Sequence, residues 1–258
     1  MKIGFFDSGL GGLSVLHRAR RMMPHGDFIY YADEEHVPYG SRERSEIVAF
    51  TRDAVRCMAD MGAGAVVIAC NTATSAAVKV LRQEFTFPII GMEPAVKTAV
   101  EHAGGRRVLV AATAVTIAGE KMHDLVETVD KSHLVDTVDL GGLVPFAERG
   151  EFDSDAVKDY IRRSLLPFSG GNYGSFVLGC THFNYFKEAI RAAMPEVTFV
   201  DGNEGTVRQT KRRMDLAGIS AEGNGETQYV FSGRIVTEKE ELSRIGRCMA
   251  QLDRVFDI

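Results

Sequence analysis

Tryptophan is absent from the 258 residues, proline occurs only 7 times and cysteine only 4 times. Cys57, Cys70, Cys180 and Cys248 show no Cys-x-x-Cys or other metal-ligand spacing. Neither a disulfide framework nor a metal site is therefore expected, and free thiols are the default. Long apolar runs are missing as well. Each one is broken by a charge or a glycine cluster short of the roughly 18 residues that a membrane span needs, so no membrane association is expected. Positive charge is also in short supply: 30 Lys and Arg stand against 35 Asp and Glu, a net charge of −5. That balance argues against nucleic acid as a partner, and a solvated helix face accounts for the cluster Arg18, Arg20 and Arg21. The segment Met1–Asp7 reads as a strand that meets a carboxylate at once, without the apolar run of a signal peptide. The expectation is a cytoplasmic protein with reduced thiols.

Short β-branched runs alternate with amphipathic stretches. Ile3–Phe6, Phe28–Tyr31, Ala65–Ala69, Ile89–Ile90, Val108–Ala111, Leu134–Val138, Phe176–Leu178 and Thr198–Val200 read as strands, with Gln228–Phe231 as a further candidate. Buried runs joined by helix-length connections indicate parallel sheets covered on both faces, an α/β class. Two pairs of strand ends resemble each other. Val66–Thr72 and Phe176–His182 both pass from an apolar strand through a small residue into cysteine and then polar residues, while Ile3–Ser8 and Val108–Thr113 both end on a hydroxyl. The expected architecture is therefore two pseudosymmetric, doubly wound parallel-sheet lobes with the active site between them. Residues 1–93 plus 206–258 would form one lobe and 94–205 the other, with crossings near Gly91–Pro94 and Asp201–Thr206.

Ligands of open α/β sheets collect outside the carboxyl ends of the strands, which directs attention to Asp7, Cys70, Thr113 and Cys180. Inverting a stereocentre by proton transfer needs a base on one face of the carbon and an acid on the other, with the roles exchanged in reverse. Two matched thiols meet that demand if each is tuned from its usual pKa of about 8.5 toward neutrality, as a helix N-terminus would do. Ser8, Asn71, Thr72 and Thr181 offer hydroxyls, an amide and nearby N–H groups that can hold carboxylates, and helix capping is their competing structural role. Asp7, Glu148 and His182 could hold a substrate ammonium or assist proton movement at a cysteine; Glu148 could equally be a surface residue of a helix. Gly9-Leu10-Gly11-Gly12 is no dinucleotide fingerprint, since Ser14 stands where the third glycine belongs. Pro38-Tyr39-Gly40 reads as a turn whose tyrosine either covers a ligand or packs on the surface.

Taken together, Phe6–Gly12, Val37–Gly40, Ala69–Ala73, Ala112–Thr116, Val144–Glu148 and Leu178–His182 resemble the glutamate racemases of the aspartate/glutamate racemase superfamily, over the span from Asp7 to about Asp201. That resemblance implies interconversion of L- and D-glutamate for peptidoglycan synthesis, with no metal, no other cofactor, and often a homodimer. It makes Cys70 and Cys180 the acid/base thiols, with Asp7, Glu148 and His182 assisting. Substrate contacts would come from Asp7, Ser8, Pro38, Tyr39, Gly40, Asn71, Thr72, Thr113, Thr116, Thr181 and His182. Two positions depart from the pattern: Gly141-Gly142 stands where a Cys-Pro pair is usual, and Asn184 where a proline is usual. Neither touches a residue assigned to the chemistry; both bear on loop shape and leave regulation and oligomer geometry open.

Aspartate racemase, or another member of the superfamily, is the nearest enzymatic alternative, and His182 with Thr74 favours the glutamate pattern over it. A two-lobed protein that binds a small anion without turning it over is the alternative from another class. It has no need of matched thiols. A one-thiol decarboxylase of related fold is disfavoured because both cysteine positions are filled.

Overall fold

The computed structural model describes residues 1–92 and 94–258; Glu93, at the expected first crossing, lies outside the described residues. The strands are β1 Lys2–Asp7, β2 Phe28–Ala32, β3 Ala63–Ile68, β4 Ile89–Gly91, β5 Arg107–Ala112, β6 Val135–Asp139, β7 Tyr173–Leu178, β8 Thr198–Val200, β9 Thr227–Phe231 and β10 Arg234–Ile235. The helices are α1 Leu13–Met22, α2 Arg44–Asp60, α3 Asn71–Glu84, α4 Val96–His102, α5 Ala114–Ala118, α6 Glu120–Val129, α7 Leu143–Glu148, α8 Asp155–Leu165, α9 Lys187–Ala193, α10 Asn203–Leu216 and α11 Lys239–Arg254.

The strands form two sheets, ordered β10-β9-β2-β1-β3-β4 and β6-β5-β7-β8. The run β2-β1-β3-β4 in the first matches β6-β5-β7-β8 in the second, and every one of these pairings is parallel. The match extends to an irregularity. The β1–β3 register slips past Gly64 and the β5–β7 register slips past Gly174, at the same point of each half. The fold is therefore α/β with two pseudosymmetric lobes. Every residue of β2, β3 and β7 is buried, as a parallel sheet with helices on both faces requires.

The expected strands are all present, their ends within three residues of those expected. The short β10 was not foreseen; it pairs antiparallel with β9 across a tight turn in which Ser232 and Gly233 have φ of 44° and 87°. Beyond Cys180 a helix was expected at once, but Thr181–Phe186 forms a 3-10 turn before α9 begins. Phe183 N–H bonds to Cys180 C=O at 3.1 Å, and Asn184 Nδ2 donates to Thr181 C=O at 3.1 Å, which tightens the chain here.

One apolar cluster runs through both lobes, joining Leu10, Leu13 and Leu16 of the first to Leu109, Phe176, Phe183 and Phe186 of the second. The outer faces of the two sheets have separate clusters of their own. Chain past β8 returns to the first lobe: α10 packs on α1, β3 and β4, β9 pairs with β2, and α11 lies on α1. This shared core sets the lobes face to face, with the carboxyl ends of β1, β3, β5 and β7 converging.

Candidate active site

A cavity of about 230 Å³, room for a molecule of amino-acid size, opens where those strand ends meet. Cys70 follows β3 and Cys180 follows β7, and both line it. Ser8, Pro38, Tyr39, Gly40, Asn71 and Thr72 reach it from the first lobe; Thr113, Thr116, Thr181 and His182 reach it from the second. Ten of the eleven residues expected to contact a ligand line this cavity; only Asp7 stands apart.

Asp7 is wholly buried behind the wall and does not line the cavity. Its Oδ1 accepts the Gly9 N–H at 3.1 Å, and its Oδ2 accepts the Thr181 hydroxyl at 3.1 Å from the other lobe. Asp7 therefore meets the cavity through Thr181, which lines it. Glu148 is likewise behind the wall, and it is no surface residue. Its Oε1 accepts the Leu10 N–H at 2.8 Å and lies 2.5 Å from His182 Nε2. His182 turns its other nitrogen, Nδ1, to Cys180 Sγ at 3.7 Å. Glu148, His182 and Cys180 therefore form one line from the interior to the cavity.

The glycines of the first turn permit this closeness. A Cβ on Gly11 would stand 2.5 Å from both Thr181 Oγ1 and His182 Nδ1, and one on Gly12 would stand 2.5 Å from Asp7 Cβ. Tyr30 and Tyr185 fix the same turn by donating hydroxyl protons to Gly9 C=O and Leu10 C=O, each at 2.6 Å. On the far side of the cavity, hydroxyls bridge the lobes. Thr72 Oγ1 lies 3.3 Å from Thr116 Oγ1, which lies 3.0 Å from Thr113 Oγ1. Asn71 Oδ1 is buried without a hydrogen-bond partner among the described residues, on a side chain that lines the cavity. A buried amide oxygen left unpaired is costly, and a ligand donor would relieve it. Tyr39 contributes its ring and backbone, because its hydroxyl donates to Asp33 Oδ2 at 2.6 Å.

Burial governs the charges. It pushes Asp7 up to about 6, against the lowering pull of His182 and the Gly9 N–H. Cys70 caps α3, accepting the Ala73 N–H at 3.4 Å, and points its thiol at Ser8 Oγ, 3.7 Å away. The helix N-terminus was expected to bring this thiol toward neutrality. Instead burial, with the charge of Asp7, pushes it up to about 12, and the one N–H bond offsets only part of that. His182 is also buried, which by itself lowers its pKa; the hydrogen bonds to Cys180 and Glu148 and their charges outweigh that and hold it well above the ordinary imidazole value.

The cavity wall also holds residues that motif reasoning passed over, chiefly Asp139, Gly141 and Gly142. Gly141-Gly142, expected to bear on loop shape, regulation or oligomer geometry, forms part of the wall. Asp139 ends β6 beside Thr113, and its Oδ1 accepts the Gly141 N–H at 2.8 Å. Its position one residue past an apolar strand was the available signal. Asn184 does not line the cavity.

The model of the family described as Asp/Glu/Hydantoin racemase matches residues 14–210. A glutamate racemase of Campylobacter curvus is 47% identical over 100% of both chains, and one of Lachnospira eligens is 45% identical over 100% of both. Among solved structures, Escherichia coli glutamate racemase, crystallised with L-glutamate and the activator UDP-MurNAc-ala, superposes with a TM-score of 0.85 at 26% identity, covering 98% of this chain and 95% of that one. Glutamate racemase of Campylobacter jejuni superposes with a TM-score of 0.79 at 26% identity, covering 98% of each chain. Fold, paired half-sites and relatives together define an enzyme of the isomerase class, an amino-acid racemase. The chain belongs to the Asp/Glu/Hydantoin racemase family.

Proposed function

We propose that this enzyme interconverts L- and D-glutamate by proton transfer at the α-carbon between Cys70 and Cys180, and that the D-glutamate feeds peptidoglycan synthesis. The observation that carries the reading is the pair of thiols, one from each lobe, lining a single cavity of amino-acid size. The full-length relatives named glutamate racemase supply the choice of substrate.

In this mechanism the substrate lies between the thiols. One sulfur removes the α-proton as a thiolate, the carbanion is protonated from the opposite face by the other thiol, and the configuration inverts. The two sulfurs start in different states. Cys70 holds its proton tightly and begins as the acid. Cys180 serves as the base in that direction, with His182, itself hydrogen-bonded to Glu148, placed beside it to exchange a proton. Reaction in the other direction starts from the exchanged state, with Asp7 and Thr181 serving the Cys70 side as Glu148 and His182 serve the other. Asn71, Thr72, Thr113, Thr116 and the Tyr39-Gly40 backbone hold the two carboxylates and the ammonium.

Pure L-glutamate and pure D-glutamate, each incubated with the enzyme in deuterated water without added cofactor, test this. Loss of optical rotation from both, with deuterium entering at the α-carbon, is the expected result. Inversion of aspartate in preference to glutamate would overturn the substrate, and exchange of neither amino acid would overturn the reaction.

A further inference from the structure

Four of the residues that line the cysteine cavity, Pro38, Tyr39, Gly40 and Ser41, belong to the connection between β2 and α2. That connection is irregular apart from the 3-10 turn Tyr39–Ser41, whose first N–H groups, those of Tyr39 and Gly40, have no acceptor within the turn. Loop backbone is a soft support for a binding surface unless side chains fasten it. Here the fastening point is Asp33, which follows β2 directly and is 4% exposed.

Both oxygens of Asp33 are engaged. Oδ2 accepts the Tyr39 hydroxyl at 2.6 Å, and Oδ1 lies 2.8 Å from His36 Nδ1. The His36 ring stacks on Phe50 of α2 with 3.7 Å between centroids, and its carbonyl accepts Arg42 Nε–H at 3.0 Å, so both ends of the connection are tied to the same short stretch. The remaining contact comes from the far end of the chain. Ser232, in the turn between β9 and β10, donates its hydroxyl to Asp33 Oδ1 at 3.3 Å and accepts the Glu35 N–H at 3.1 Å. Its backbone is left-handed, with φ of 44°, a conformation uncommon outside glycine. Tyr39 is 1% exposed, and burial, then the charge of Asp33, hold its proton more tightly than usual, which keeps it a donor. A hydrogen bond to a buried carboxylate is among the stronger ones, so this arrangement resists displacement of Tyr39.

We propose that Asp33, fastened by Ser232, is a positioning residue for racemisation: it holds Tyr39 so that the Tyr39-Gly40 backbone presents a fixed surface to one substrate carboxylate. This role rests on the proposed interconversion of glutamate. Asp33 does not line the cavity and touches no substrate. Its contribution therefore falls on substrate binding, in ground state and transition state alike, and leaves the proton transfers between the thiols nearly as they were.

The test is steady-state kinetics with L- and D-glutamate on wild type, Asp33→Ala, Asp33→Asn, Tyr39→Phe, Ser232→Ala and the double variant Asp33→Ala/Tyr39→Phe. Asp33→Ala should raise KM at least about tenfold for both enantiomers while kcat changes less than about threefold. Asp33→Asn keeps an oxygen for the Tyr39 hydroxyl and should recover most of that loss, and Ser232→Ala should raise KM about two- to threefold. Because Asp33 acts through Tyr39, adding Asp33→Ala to Tyr39→Phe should raise KM less than about threefold further. An unchanged KM in Asp33→Ala, a loss confined to kcat, or effects of the two single changes that multiply in the double variant would each overturn the positioning role and leave the proposed reaction standing. A wild type silent on glutamate would overturn both together. Should Asp33→Ala fail to fold, Tyr39→Phe decides, and an unchanged KM there would be equally fatal.

Discussion

Asp7 and Cys70 show how a single burial alters what a side chain can do. Asp7 holds its proton up to about pH 6 in the folded chain against 3.8 as a free group, so its ionisation opposes folding. Below pH 3.8 it is protonated in both states and costs nothing. Between 3.8 and about 6 only the unfolded chain ionises, so stability is lost as pH rises, and the loss is constant above that. Asp7→Asn should therefore match wild type in stability near pH 3.5 and exceed it above pH 6 by up to about 3 kcal/mol, measured by urea denaturation at a series of pH values. A constant difference at all pH values would refute the assignment. The same variant should racemise more slowly. Cys70→Ser and Cys180→Ser should each lower kcat by about a thousandfold or more while leaving the circular dichroism unchanged, since a serine hydroxyl is far too weak an acid to replace either thiol. Near-normal turnover by either variant would exclude a two-thiol mechanism.

At the scale of elements, the Gly9–Gly12 turn between β1 and α1 decides the geometry of both lobes. It meets Glu148 of α7, Thr181 and His182 of the 3-10 turn, and Asp7 of its own strand at distances no side chain can share. Gly11→Ala should force those groups apart, cutting kcat/KM by about a hundredfold or more and lowering stability by about 1–3 kcal/mol. Normal kinetics in that variant would show that the turn is mere packing. On the Cys180 side, Glu148→Gln removes the charge that holds His182 protonated. Its pH–rate profile should shift to lower pH on the limb set by the imidazole, and kcat should fall about ten- to a hundredfold. An unmoved profile would free His182 from that role.

At the scale of the whole molecule, the C-terminal chain crosses back over the interface between the lobes. From α11, Gln251 Nε2 donates to Tyr185 C=O at 2.8 Å, Arg254 pairs with Glu188, and Leu252 joins the core that both lobes share. Calorimetry should record a single unfolding transition, shifted upward by glutamate. Two separable transitions would mean that the lobes are stable apart and that the shared core contributes little.

The strands, the α/β class, the twofold likeness of the halves and the cysteine pair were legible because they depend on local pattern: apolar runs of strand length, and short motifs repeated at each strand's end. The sequence could not reveal that Asp7 and Glu148 stand behind the wall, that Cys70 is too deeply buried for its helix N-terminus to acidify it, or that Gly141-Gly142 and Asp139 face the cavity. Burial and proximity belong to the packed chain. They are set by which surfaces the two lobes turn toward each other, and no window of neighbouring residues contains that information.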